Sequence, residues 1–174
     1  RRCFIKNTLA AAALLMSGGA VAEPAMRSVC TVPYELDMLI KAGHIQGACC
    51  SKQGVYLSHQ LGIAKIGWDG KLLKTVEEPA HLGDTAFANG KIYGAFVIYD
   101  KNLRKNGMTG LVRVWNENLE IVAEKWFPEA LDGITVLGDT VYVGIDRWGR
   151  PMHPLCCVKR LSLDLEDKGN VDVD

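Results

Sequence analysis

His81-Leu82-Gly83-Asp84-Thr85-Ala86-Phe87-Ala88-Asn89-Gly90-Lys91-Ile92-Tyr93-Gly94-Ala95 reads as one tight β-hairpin: a short alternating strand, an Asn-Gly turn and a second alternating strand. Asn-Gly tolerates the positive φ values that two-residue hairpin loops require. The same phrase occurs twice more. Upstream, His44-Ile45-Gln46-Gly47 leads through Lys52-Gln53-Gly54 to Val55-Tyr56-Leu57, and downstream Ala130-Leu131-Asp132-Gly133 leads through Gly138-Asp139 to Val141-Tyr142-Val143. In each copy the first residue stands 12 positions before the hairpin tyrosine (44 to 56, 81 to 93, 130 to 142). The chain contains an internal repeat.

Working outward, each repeat predicts four short strands. The first runs Gly47 to Ser51, Val55 to His59, Ile63 to Gly67 and Leu72 to Glu77, with Trp68-Asp69-Gly70-Lys71 as an Asp-Gly turn. The second runs Asp84 to Ala88, Ile92 to Asp100, Leu111 to Asn116 and Ile121 to Phe127, turning at Asn116-Glu117-Asn118. The third runs Ile134 to Leu137, Val141 to Asp146 and Cys156 to Leu163, then breaks off after Asp167-Lys168-Gly169-Asn170 in what would be a fourth strand. Periods of 37 and 49 residues (44 to 81, 81 to 130), with four antiparallel strands each, are the signature of β-propeller blades. The fold class is therefore all-β, with about three four-stranded blades spanning residues 43–174.

Three blades do not close a propeller, since closure takes about 4 to 8. No methionine stands at position 1 and the third blade breaks off, so the expectation is a fragment of a larger propeller, incomplete at its C-terminus.

Residues 1–22 read as an export signal. Arg1-Arg2-Cys3-Phe4-Ile5-Lys6 precedes a mildly apolar run from Thr8 to Met16, and Ala20-Val21-Ala22 forms a small-x-small cleavage site before Glu23. The paired arginines followed by Phe-Ile-Lys resemble the twin-arginine pattern, with an ordinary secretory signal as the alternative. Residues 23–42 form a lead-in, in which Pro33 to Ile40 reads either as a short helix or as an extra strand. The expected location is the periplasm of a bacterium or the exterior, with no membrane span once the signal is removed.

Composition is that of an ordinary globular chain: 174 residues, 48% hydrophobic, 23% charged, zero formal net charge. The neutral balance excludes a general nucleic-acid binder, which would carry a basic excess. Removing Cys3 with the signal leaves five of the six cysteines: Cys30, Cys49-Cys50 and Cys156-Cys157. An odd number leaves at least one thiol without an intrachain partner, and no spacing is C-x-x-C. Burial as small hydrophobes, disulfides and metal ligation all stay open for the two pairs.

His81-Leu82-Gly83-Asp84, Asn89-Gly90-Lys91-Ile92-Tyr93, Ile66-Gly67-Trp68-Asp69-Gly70-Lys71-Leu72-Leu73-Lys74 and Leu131-Asp132-Gly133-Ile134-Thr135-Val136-Leu137 resemble blades of secreted bacterial β-propeller proteins of uncharacterised function. The resemblance covers about residues 43 to 174 and implies a fold, not an activity. The acidic and amide metal ligands of propeller lactonases and strictosidine-synthase-like enzymes have no counterpart here.

In such blades the innermost strand lines the central channel. His44, His81 and Ala130 then occupy equivalent places at the channel mouth, as do Gln46, Gly83 and Asp132, with Asp84 and Gly133 one step further in. Converging imidazole and carboxylate groups can hold a metal ion or share acid and base roles. The same residues can equally serve as blade-to-blade hydrogen-bonding struts, and Asp132-Gly133 is a good turn former. Two loops add cations to that face: Lys101, Arg104 and Lys105 from one, and Arg147, Trp148 and Arg150 from the other. Focused cations attract anions, and Trp148 would stack on a sugar or a ring.

The candidate ligand-binding residues are thus His44, His81, Asp84, Asp132, Arg104, Arg147 and Trp148. The expected function is an exported propeller that binds a small anionic or carbohydrate-like ligand, or a partner protein, at its channel face. The alternative is a metal-assisted hydrolase or lyase using His44, His81 and Asp84 around a divalent metal cofactor. No G-x-S-x-G, H-E-x-x-H or phosphate-binding glycine loop is present.

Overall fold

The computed structural model describes residues 44–78, 80–99, 108–146 and 156–173. The predicted signal, the lead-in and the two cationic loops fall outside these residues, and with them Arg104, Arg147 and Trp148. Twelve strands form three antiparallel sheets of four. The first sheet contains β1 (Ile45–Ser51), β2 (Gly54–His59), β3 (Gly62–Ile66) and β4 (Leu72–Glu77). The second contains β5 (His81–Ala88), β6 (Lys91–Tyr99), β7 (Met108–Asn116) and β8 (Ile121–Phe127). The third contains β9 (Ala130–Leu137), β10 (Thr140–Asp146), β11 (Cys156–Ser162) and β12 (Asp167–Val173). Strands pair in chain order within each sheet, so each sheet is one blade. Among the described residues no helix is long and apolar enough to cross a membrane.

Turn chemistry sets the blade pattern. Asn89 (φ 50) and Gly90 (φ 72) form the predicted two-residue β5–β6 loop, in which both central residues are left-handed. A second turn recurs between the third and fourth strands of every blade. In blade 1 Gly70 N–H bonds Gly67 O at 2.9 Å; in blade 2 Leu119 N–H bonds Asn116 O at 2.9 Å; in blade 3 Leu165 N–H bonds Ser162 O at 3.0 Å. The last residue of each turn is left-handed: Gly70 at φ 80, Leu119 at φ 57, Leu165 at φ 66. Leucine is an unfavourable residue there, because Cβ crowds the following carbonyl. Both leucines are held by burial at 3% exposure, each inside an apolar cluster between blades.

The third blade corrects the sequence reading. It has a fourth strand, β12, where that reading breaks off, and the turn before it lies at Leu163-Asp164-Leu165. Gly169, at φ 86, lies inside β12, within the stretch where the β11–β12 register shifts. The inner strands also begin earlier than alternation predicts, at Ile45, His81 and Ala130, because each continues through a register shift.

Two apolar clusters join the blades. Tyr56 and Ile63 of blade 1 pack with Leu82, Ile92, Phe96, Leu111, Trp115 and Leu119 of blade 2. Tyr93, Val112 and Val114 of blade 2 pack with Leu131, Ile134, Val141, Val143 and Leu161 of blade 3. Full burial of such side chains contributes about 1.5–3 kcal/mol each. The same tyrosine orients both junctions: Tyr56 donates to Glu117 O at 3.1 Å and Tyr93 to Leu163 O at 3.3 Å, each to the third-to-fourth-strand turn of the following blade. The inner strands β1, β5 and β9 lie side by side, with β5 between the other two.

Candidate functional site

The site forms where the inner strands break register. In β1–β2 the pairing slips between Ile45 and Gly47, freeing Gln46. In β5–β6 it slips between Leu82 and Thr85, freeing Gly83 and Asp84. In β9–β10 Leu131 and Ile134 remain paired while Asp132 and Gly133 do not. Residues in such β-bulges are released from the ladder and re-aimed, which is why bulges cluster near binding sites.

The first two freed segments gather imidazoles around an amide. Gln46 Nε2 lies 3.0 Å from His44 Nε2 and 3.0 Å from His81 Nε2. One carboxamide NH₂ has two protons, so Gln46 Nε2 can serve both rings at once. Gln46 thus ties blade 1 to blade 2 where β1 lies beside β5. Its position was visible in the repeat, at the same offset as Asp132, but the bridge depends on β1 lying beside β5.

The carboxylates sit on the glycines of the preceding blade. A Cβ on Gly47 would overlap Asp84 Oδ1, and a Cβ on Gly83 would overlap Asp132 Oδ1. The absent side chains therefore make the space that the aspartates fill, blade upon blade. Asp84 Oδ1 accepts from Thr85 N–H at 2.7 Å. Burial raises the Asp84 carboxyl above the usual carboxylate range; the Thr85 N–H opposes that shift and the nearby Asp132 carboxylate adds to it.

Behind His81 opens a groove of about 400 Å³ lined by Gln60, Leu61, Glu78, His81, Ile98 and Tyr99. The Tyr99 side chain is well exposed. Glu78 is a strut: it pairs with Arg113, whose Nη2 also reaches Glu124 at 2.8 Å. Burial raises the Glu78 carboxyl, while Arg113 and the Trp115 indole N–H pull it down. Glu78, Gln60 and Tyr99 lie outside the repeated phrase, and repeat reasoning missed them.

Two expectations change in the light of this geometry. Among the described residues no three His, Cys, Asp or Glu side chains are grouped to hold a metal ion, so His44, His81 and Asp84 are not brought together as a ligand set. The histidines instead share Gln46, and Asp84 lies against Gly47. The Cys49-Cys50 pair divides by strand alternation: Cys50 is exposed, whereas Cys49 packs against the blade 1–blade 2 cluster. Burial pushes the Cys49 thiol up to about 12, against the opposing Thr85 hydroxyl, in keeping with a packing residue.

No family model and no curated protein matches the chain. Among solved structures it is similar to the WD40 domain of Pan2 from Neurospora crassa, at 12% sequence identity and a TM-score of 0.54. The similarity covers 73% of this chain and 35% of that one. At such identity a likeness carries fold and no activity. The described residues are three consecutive four-stranded blades of a β-propeller.

Proposed function

We propose that the channel-mouth face binds a small, neutral, hydroxyl-rich ligand of carbohydrate type, and that the protein serves as an exported binding propeller. The reading is supported by two polar groups at the inner-strand bulges, Gln46 shared by His44 and His81, and the Asp84 and Asp132 carboxylates seated on Gly47 and Gly83. Sugar hydroxyls both donate and accept, and this face offers both: carboxylates accept, and amide and ring nitrogens donate or accept by orientation. Tyr99 supplies an apolar ring beside His81, of the kind a sugar face packs on. An anion would meet Asp84 and Asp132 head on; the anionic alternative depends on Arg104 and Arg147, in the loops outside the described residues. Export rests on the Arg1-Arg2-Cys3-Phe4-Ile5-Lys6 start and the Ala20-Val21-Ala22 site. The zero net charge leaves no basis for a nucleic-acid partner.

Calorimetric titration with methyl glucoside, glucuronate and zinc chloride tests the reading, with the Gln46 side-chain amide followed by NMR. Methyl glucoside is expected to bind and to move the Gln46 amide signals. A Gln46→Ala variant is expected to bind about tenfold more weakly for each lost hydrogen bond. Preference for glucuronate would shift the ligand class to anions. Stoichiometric zinc lost in His81→Ala would restore the metal-assisted alternative, and no response to any probe overturns the proposal.

A further inference from the structure

The groove behind His81 has apolar walls that are held in place and left open. Leu61 stands on the turn between β2 and β3, and its peptide groups are tied on both sides. Its N–H donates to Nδ1 of the buried His59 ring at 3.3 Å, and its carbonyl accepts from Glu78 N–H at 2.8 Å. Burial lowers the His59 imidazole, so at neutral pH the ring stays uncharged and keeps Nδ1 as an acceptor. The wall contributed by blade 2, Ile98 and Tyr99, ends β6 in register with Thr109 and Met108 of β7. Leu61 is nevertheless 44% exposed and Tyr99 58%. Two blades thus hold apolar side chains open to solvent along one groove.

The polar groups of the groove narrow what fits. Glu78 has no charge to offer a ligand, because its side chain is 1% exposed and paired with Arg113. The Gln60 amide and the His81 ring are neutral hydrogen-bonding groups. His81 also joins the groove to the bulge site, since its Nε2 lies 3.0 Å from Gln46 Nε2. A molecule held at the bulges therefore has its adjoining part at the groove. An apolar cavity of about 150 Å³ holds a benzene ring, and the groove encloses about 400 Å³. A flat ring there can stack on Tyr99 and His81 in the offset or edge-on arrangements that aromatic pairs prefer.

We propose that the ligand of the channel-mouth face is an aryl glycoside, with its sugar at the bulges, its aromatic aglycone in the groove between Leu61 and Ile98, and Tyr99 at the boundary. The inference rests on the sugar-binding reading above and names the part of the ligand which that reading leaves open. A further sugar in the groove would set hydroxyls against Leu61 and Ile98, which have no hydrogen bond to give or accept. A charged extension would find Glu78 and Arg113 already spent on each other. Because Leu61 is fixed before any ligand arrives, an apolar contact there gains affinity at little ordering cost.

Calorimetric titration of the full chain with methyl glucoside, phenyl glucoside and phenol tests this. Phenyl glucoside should bind about tenfold or more tightly than methyl glucoside, as burial of a ring requires. Phenol alone should bind far more weakly than phenyl glucoside. Leu61→Ser should remove most of the phenyl gain and leave methyl glucoside binding unchanged, which also shows that the variant folds. In the unaltered protein, NMR should give contacts between the phenyl protons and the Ile98 methyl groups. Equal affinity for the two glucosides, a phenyl gain that survives Leu61→Ser, or phenyl protons without contact to Ile98 would overturn the aglycone inference while the sugar reading stands. Phenol binding as tightly as phenyl glucoside would overturn it too, by giving the groove a ligand of its own. No response to either glucoside overturns both readings.

Discussion

Replacing Arg113 by Met would isolate Glu78, a buried charge that stands behind the site. The Glu78 side chain is 1% exposed and that of Arg113 12%, and the two pair directly across the blade 1–blade 2 junction. Arg113 also lies over the Phe96 ring at 5.6 Å and bonds Glu124 through Nε at 3.1 Å, so its position is fixed on several sides. Removing one partner of a buried pair strands the other charge, at a cost of about 3–5 kcal/mol, whereas replacing both by apolar groups is often close to neutral. Arg113→Met is therefore expected to lose about 3–5 kcal/mol at pH 7 in urea unfolding, and Arg113→Met/Glu78→Leu to recover most of it. The sign with pH follows from the direction of the Glu78 shift. Its folded value is raised above the ordinary 4.5, so the unfolded chain releases the proton first, and stability falls as pH rises from 4.5 through the folded value. Losing Arg113 raises the folded value further and widens that window. The deficit of the single variant should thus shrink markedly at pH 4, where Glu78 is largely protonated in either state. A deficit under about 1 kcal/mol, as for an exposed pair, or one equal at pH 4 and pH 7, would refute the reasoning. Because Glu78 opens the link that delivers His81, the same variant should also disturb the Gln46 amide signals.

The glycines beneath the aspartates give a second test: Gly83→Ala must push Asp132, including its backbone carbonyl, and should lose about 1–3 kcal/mol by thermal unfolding together with ligand binding. Asp84→Asn keeps an acceptor for Thr85 N–H and removes a carboxyl whose folded value is raised. It should stabilise by about 0.5–2 kcal/mol at pH 7 and lose that advantage as pH falls below the carboxylate range, while weakening ligand binding. Leu119→Gly relieves the left-handed leucine but empties a buried site, for a net loss of about 1–3 kcal/mol in urea unfolding. In alkylation with iodoacetamide at pH 8, Cys50 should react and Cys49, its thiol pushed up to about 12, should stay unmodified in the native protein by mass spectrometry.

The blades were legible because their turns are local chemistry. Asn89-Gly90 and Trp68-Asp69-Gly70-Lys71 announce positive φ in the residues themselves, and the tyrosine 12 positions on fixes which strand follows. The turn before β12 was hidden because leucine occupies its left-handed position, and Leu165 is tolerated there only through burial between blades 2 and 3. The candidate site was half legible. Equal offsets singled out His44, His81, Asp84 and Asp132, of which the two histidines lie at one Gln46 amide and the two aspartates on the glycines of the preceding blade. Which of them meet was not readable, because Gln46 reaches His81 over 35 residues of chain and Asp84 is held by the emptiness of Gly47.

That emptiness ties fold to function. A blade's ladder binds most residues to pairing or packing, so substitution there costs stability first. Gln46, Gly83, Asp84, Asp132 and Gly133 are outside the ladder, and the Gln46, Asp84 and Asp132 side chains each reach the neighbouring blade. At these offsets the three blades carry Gln-Gly, Gly-Asp and Asp-Gly, while the tyrosine 12 positions after the first residue of the phrase recurs in each. Polar groups released from the ladder can serve a binding face as well as a junction. If the junctions were all these residues served, exchanging Gln46-Gly47 for Asp-Gly, the pair found at residues 132–133, would leave folding intact and the ligand response unchanged. The expected result is intact folding by circular dichroism with loss of the methyl glucoside response. An unchanged titration would reduce the bulges to blade-to-blade struts.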